Sequence, residues 1–212
     1  MKKVLLISGI LLIFSCKKEI DEKVSNSSDN ISSKVKSHSL SLSKDLNSIN
    51  GIKQEYNLVN SQLVAKKLDS VSFKYECEEI SGNVVYYSDK GKLKVVKHFQ
   101  ADSHFSSIGS YFVNDGKPYF IFKHDTVWSF DGGTPEKPVT KDDVTEQRFY
   151  IINNRAIQCL EKKYTLRSNS SENLKSENIP NKEMKNCSIA ELQKSFELLM
   201  KNKDKKGNIN CI

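Results

Sequence analysis

The stretch Ser110-Tyr111-Phe112-Val113-Asn114-Asp115-Gly116-Lys117-Pro118-Tyr119-Phe120-Ile121-Phe122-Lys123 decides the fold. Aromatic and β-branched residues fill both arms, and Asp115-Gly116 sits where a tight hairpin turn needs two residues with positive φ. The reading is an antiparallel hairpin. The same unit recurs on either side. Asn83 to Ser88 and Lys92 to Phe99 flank Ser88-Asp89-Lys90-Gly91, and Gln147 to Ile152 and Ala156 to Leu166 flank Asn153-Asn154. Tyr86-Tyr87, Tyr111-Phe112 and Phe149-Tyr150 precede the three turns, and Lys92, Lys117 and Arg155 follow them. Consecutive hairpins of this kind add to one meander.

Before the hairpins, Val71, Phe73, Tyr75 and Cys77 alternate with Ser72, Lys74, Glu76 and Glu78, the pattern of a strand with one wet face. Glu78-Glu79 reads as part of that strand. Thr126 to Phe130 reads as a further short strand. Asp131-Gly132-Gly133-Thr134-Pro135-Glu136-Lys137-Pro138 then reads as a loop, because two glycines and two prolines break all periodicity. Leu46, Ile49, Ile52, Tyr56, Val59 and Leu63 are spaced by three and four, which predicts a helix that breaks or starts late at Asn50-Gly51. A second helix is expected after Ser188-Ile189-Ala190-Glu191, which fits the S-x-x-E capping box, with Ile189, Leu192, Phe196 and Leu199 as its apolar stripe and Gly207 as its stop. The expected fold class is α+β: an antiparallel meander of about seven strands with an N-terminal and a C-terminal helix packed on it.

The amino end sets the compartment. Lys2 and Lys3 precede an apolar run, Val4 to Phe14, that is too short to span a bilayer. It ends in Ile13-Phe14-Ser15-Cys16. This resembles the lipobox of bacterial lipoproteins. The resemblance implies cleavage before Cys16, acylation of Cys16 (palmitate among the chains), and a mature protein anchored in a membrane. Lys17, not Asp, follows Cys16, and Lys17-Lys18-Glu19-Ile20-Asp21-Glu22 resembles the charged export signals of some Gram-negative groups, which implies the outer membrane, with the head facing the periplasm or the surface. Residues 1–15 are then a signal peptide and 16–44 the lipidated cysteine and a polar tether whose composition buries too little to order itself. Residues 45–167 form the helix and sheet, and 168–212 a linker and the last helix.

The chain has 212 residues and a net charge of +7, to which Lys2 and Lys3 contribute two. Lysines are dispersed among acids, with Lys201 to Lys206 the one dense run, so nothing reads as a nucleic-acid stripe. With Cys16 lipidated, Cys77, Cys159, Cys187 and Cys211 remain, an even set that suggests two disulfides in an oxidising compartment. Three connectivities are open, with free buried thiols as the rival use; the pairing favoured is Cys77–Cys159 and Cys187–Cys211, the latter closing a loop of about 25 residues worth roughly 3 kcal/mol. No C-x-x-C pair supports a metal, and no cofactor is expected.

No nucleophile elbow or phosphate loop occurs. His38 lies in the tether; His98, His104 and His124 lie on or beside strands, and two of them would meet if their strands were neighbours. Asp142, Asp143 and Glu146 lack calcium-loop spacing and read as a solvated rim. The protein is therefore not expected to be an enzyme. Adjacent aromatics point to opposite faces of a sheet. Either both faces are packed, or one is an exposed aromatic surface, with Trp128, Phe130, Tyr111 and Tyr150 as its binding residues and the 131–143 loop beside it. The expected function is a membrane-anchored envelope lipoprotein acting as a non-catalytic protein-binding module of the inhibitor, immunity or accessory type. The alternative is a carrier of a lipid or small apolar ligand in a curved-sheet cavity.

Overall fold

The computed structural model describes residues 45–212. The lipobox, Cys16, the tether and His38 lie outside the described residues. Helix α1 (Ile49–Val64) leads into strands β1 (Asp69–Cys77), β2 (Ile80–Asp89), β3 (Lys92–Ala101), β4 (Phe105–Asn114), β5 (Lys117–Thr134), β6 (Lys137–Ile152) and β7 (Arg155–Arg167). A 3-10 turn (Ser176–Asn178), β8 (Lys182–Glu183), α2 (Ala190–Lys201) and β9 (Gly207–Asn210) follow. The strands form one open sheet in the order β8-β7-β6-β5-β4-β3-β2-β1-β9. Every pairing is antiparallel except β1 with β9.

The α+β class therefore holds, but the strands among the described residues number nine. The two extra strands come from the last segment. It carries too little apolar periodicity to read as strand, and it pairs because it is led along exposed edges. The turns at Asp115-Gly116 and Asn153-Asn154 both carry positive φ, as their residue types require. Glu78-Glu79 departs from expectation. It forms the tight β1–β2 turn, with Glu78 at φ +55°, so the alternating run folds back two residues early. The 131–138 segment is not a loop either. β5 continues to Thr134 and β6 starts at Lys137, with Gly133 facing Pro138 across the ladder. Asp131 is a bulge, between the pairs of Phe130 and Gly132, that absorbs the irregularity.

Each face of the sheet carries one helix. Val95, Phe112, Phe120 and Tyr150 face α1 with Tyr119, and Ile52 and Val59 of α1 fill the space above them. Tyr56 sets its ring edge against Phe112 and Phe120, each with centroids 4.8 Å apart. Their neighbours Val96, Tyr111, Ile121 and Phe149 point the other way, to Ile189, Phe196 and Leu199 on and beside α2. The Tyr86 hydroxyl donates to the Leu199 carbonyl at 2.6 Å, which seats the end of α2. Each such fully buried side chain contributes roughly 2 kcal/mol.

Asn50-Gly51 does not interrupt α1. Ser48 caps the helix by accepting from the Gly51 amide at 3.1 Å. Gly51 is required by close approach, since a Cβ there would lie 1.6 Å from the Asp45 carbonyl oxygen. The expected capping box of α2 is not made: Ile189 is the N-cap and no side chain caps it. Gly207, at φ +70°, opens β9 and does not stop the helix.

The cysteine pairing is also corrected. Cys77 bonds Cys211, and Cys159 bonds Cys187, with Cα separations of 4.6 and 5.4 Å. The reason is topological. β1 and β7 lie at opposite sides of the meander, so five strands stand between Cys77 and Cys159. Each instead receives the stretch of tail that runs along its own edge.

Candidate binding surface

The register lays the α1 face out in rows. The row under α1 is Val95, Phe112, Phe120 and Tyr150. The next is Val85, Lys97, Ser110, Phe122, Arg148 and Leu160, and the next is Asn83, Phe99, Ile108, His124, Glu146 and Lys162. The chain covers these rows unequally. Over β6 and β7 the segment after Arg167 folds back onto the sheet. The Glu146 carboxylate accepts from Ser176 Oγ at 2.5 Å, Arg148 at 2.8 Å and Tyr164 at 2.9 Å, with Lys162 Nζ at 3.4 Å. Burial by itself would raise the Glu146 pKa, but these donors and the Lys162 charge outweigh it and hold the group at about 2. The solvated-rim reading is corrected for Glu146, which is buried, while Asp143 is exposed and accepts from Thr165 at 2.6 Å.

Over β3 and β4 the same rows carry apolar groups to solvent. Phe99 and Ile108 face each other across the ladder, each 39% exposed. Lys97, half-buried beside them, has its pKa lowered by burial, and among the described residues no carboxylate lies within ion-pairing reach of it. A half-buried ammonium beside exposed apolar groups favours an incoming carboxylate.

The far end of this face is the arm formed by β5 and β6. Trp128 stacks on His104 with centroids 4.3 Å apart, and its Nε1–H donates to the Ser103 carbonyl at 2.9 Å. Asp102 holds that turn by accepting from the amides of His104 and Phe105 at 3.1 and 3.0 Å. Phe130 stands edge-on to Trp128 at 5.5 Å and is 65% exposed. Arg167 pairs with Asp131 at 2.8 Å and ties the arm to β7.

Of the four aromatics expected to form a binding surface, only Trp128 and Phe130 come together here. Tyr111 and Tyr150 are buried on opposite faces, in the α2 and α1 cores respectively, and are corrected to core residues. Most of the aromatic surplus is explained by a sheet packed on both sides. Lys97, Phe99 and Ile108 escaped sequence reading because their exposure depends on where α1 stops covering the sheet. The histidines do not meet: His98 pairs with Gly109 and His124 with Ile108, so they lie on opposite faces. His98 instead contacts the Tyr75 hydroxyl at 2.7 Å, and burial lowers its pKa to about 4.

Among the described residues no group of three or more His, Cys, Asp or Glu is placed to hold a metal ion, and no helix is long and apolar enough to cross a membrane. Comparison with protein-family models, with curated proteins and with solved structures finds no match.

Proposed function

We propose that this chain is a lipid-anchored protein of the bacterial outer membrane whose folded head is a non-catalytic module that binds another protein. The observation that carries the reading is the half of the α1 face that no described element covers, with exposed Phe99 and Ile108 beside half-buried Lys97, continued by Trp128 and Phe130 on the arm. Partly exposed aromatics on a rigid sheet, around one desolvated charge, have the composition of an interface centre. The open sheet order, with an apolar core packed against a helix on each face and no enclosing wall among the described residues, favours docking over enclosure of an apolar ligand. The anchor rests on the Ile13-Phe14-Ser15-Cys16 resemblance.

Site-specific photo-cross-linking in intact cells tests the docking reading. A probe at Phe99 or Phe130 is expected to give one shared adduct that a probe at Lys163, exposed on the opposite face, does not. Equal adducts at all three positions, or none at Phe99 and Phe130, would overturn it. Trp128→Ala is expected to weaken the adduct at least tenfold with an unchanged circular dichroism spectrum. The anchor is tested separately: Cys16→Ser should move the protein from the membrane to the soluble fraction, and failure of the wild type to incorporate labelled palmitate would refute acylation.

A further inference from the structure

The C-terminal tail covers part of a sheet edge, with Ile209 and Ile212 its only partly buried apolar side chains there. β9 meets β1 over Phe73–Gly207, Lys74–Asn208, Tyr75–Ile209 and Glu76–Asn210. Of these four tail residues only Ile209 is half-buried, and the others are exposed. Open grooves lie beside it. One of about 260 Å³ runs between Lys74–Glu76 and Asn208–Asn210. Another of about 220 Å³ is bordered by Tyr75, Cys77, His98, Gln100 and Ile212. β1 itself is secured without the tail: it pairs with β2 from Asp69 to Cys77 and buries Phe73 and Tyr75 in the core. The tail is held by these four ladder pairs, by Ile209 and Ile212 against the core, and covalently by the Cys77–Cys211 bond, one residue beyond the last β1–β9 pair.

The two disulfides differ in what leaves when they are attacked. Cys211 is exposed and Cys77 half-buried, so attack at Cys211 Sγ displaces a Cys77 thiolate close to solvent. Cys187 is also exposed, but its partner Cys159 is 1% exposed inside the apolar core. A thiolate formed there is poorly solvated and is a poor leaving group.

We propose that Cys77–Cys211 is a thiol–disulfide exchange site for a dithiol reductant, and that its opening frees residues 207–212 from β1 while the rest of the sheet stays folded. One thiolate of the reductant attacks Cys211 Sγ, forming a mixed disulfide as the Cys77 thiolate departs and takes up a proton. The second thiol of the reductant, as its thiolate, attacks its own sulfur in that bond and releases Cys211, which is protonated in turn. The protein gains two electrons and two protons, and the dithiol becomes a disulfide. The product lacks the strand that pairs with Phe73–Glu76. The proposal stands apart from the docking reading, since neither step uses Phe99, Lys97 or the arm.

The full chain, titrated with dithiothreitol without denaturant and trapped with isotopically light then heavy iodoacetamide, provides the test. Cys77 and Cys211 are expected to open at least tenfold faster than Cys159 and Cys187. Hydrogen exchange on the partly reduced protein should rise at the Phe73–Glu76 amides directed away from β2 and stay unchanged in β4 to β6. Simultaneous opening of both bonds, earlier opening of Cys159–Cys187, or retained protection along β1 after reduction would overturn the proposal. The Cys77→Ser/Cys211→Ser variant should reproduce the exchange pattern with no reductant present, and the labelling order stands independently of whether that variant accumulates.

Discussion

Two buried titratable side chains set how this head responds to acid, and they act in different windows. His98 is held neutral in the fold because burial opposes its charge, with a folded pKa of about 4. Unfolded, it takes up a proton near pH 6.5. The unfolded state therefore binds more protons, and stability falls as pH drops from about 6.5 to about 4, by about 3 kcal/mol in all. Glu146 is held charged, with a folded pKa of about 2 against an ordinary value of 4.5. Its contribution is complete above about pH 4.5 and is lost as pH falls toward 2, again by about 3 kcal/mol. Urea unfolding from pH 7 to pH 3 should therefore give a stability curve that declines in two stages. His98→Gln is expected to flatten the upper stage and Glu146→Gln the lower. A decline below pH 4.5 that survives Glu146→Gln would contradict the role given to that carboxylate. The Glu146 cluster was not legible in the sequence, because Ser176 reaches Glu146 from 30 residues away along a stretch whose composition reads as linker.

At the scale of the element, local rules held where the chain's own chemistry decided and failed where a neighbour did. The hairpin turns at Asp115-Gly116 and Asn153-Asn154 were legible because positive φ is a property of those residues alone. The arm was misread because two glycines and two prolines argue for a loop, while bulge geometry and an edge of the ladder tolerate them within long strands. Trp128 was legible as a candidate for its place beside that break, whereas Lys97 needed the position of α1. Gly51 gives the sharpest case. Helix propensity alone says that Gly51→Ala should stabilise α1 by up to about 1 kcal/mol. The Asp45 carbonyl, whose side chain also accepts from the Ser48 hydroxyl and the Asn47 amide, occupies the space the methyl would need. Gly51→Ala is therefore expected to destabilise the protein by about 2 kcal/mol, as an overpacked site does, and to loosen the Ser48 cap. Thermal unfolding of the variant checks the sign; a rise in midpoint would mean that the Asp45 turn yields without cost.

The described residues form an open sheet whose two edges are each partly covered by the chain's own tail. An exposed edge strand invites pairing with other chains. Here β8 lies along β7 at Leu160 and Glu161, and β9 lies along β1, each beside a disulfide that ties the covering segment down. The two bonds span unequal stretches of chain, 28 residues for Cys159–Cys187 and 134 for Cys77–Cys211. In the chain-entropy model that corresponds to about 3.5 and about 5 kcal/mol of restriction on the unfolded state. The order of measured effects should nonetheless be compressed. Without Cys77–Cys211 the native state regains freedom as well, because β9 is then held only by a four-residue ladder and the partly buried Ile209 and Ile212, and that gain offsets part of the gain in the unfolded chain. Without Cys159–Cys187 the native state regains little, since Cys159 and the Ile189–Leu199 stripe remain buried together. Denaturant unfolding of the two double-serine variants is therefore expected to give losses within about 1 kcal/mol of each other. A loss near 5 kcal/mol for the Cys77–Cys211 pair alone would mean that β9 stays docked without its bond, and that this edge is held by packing.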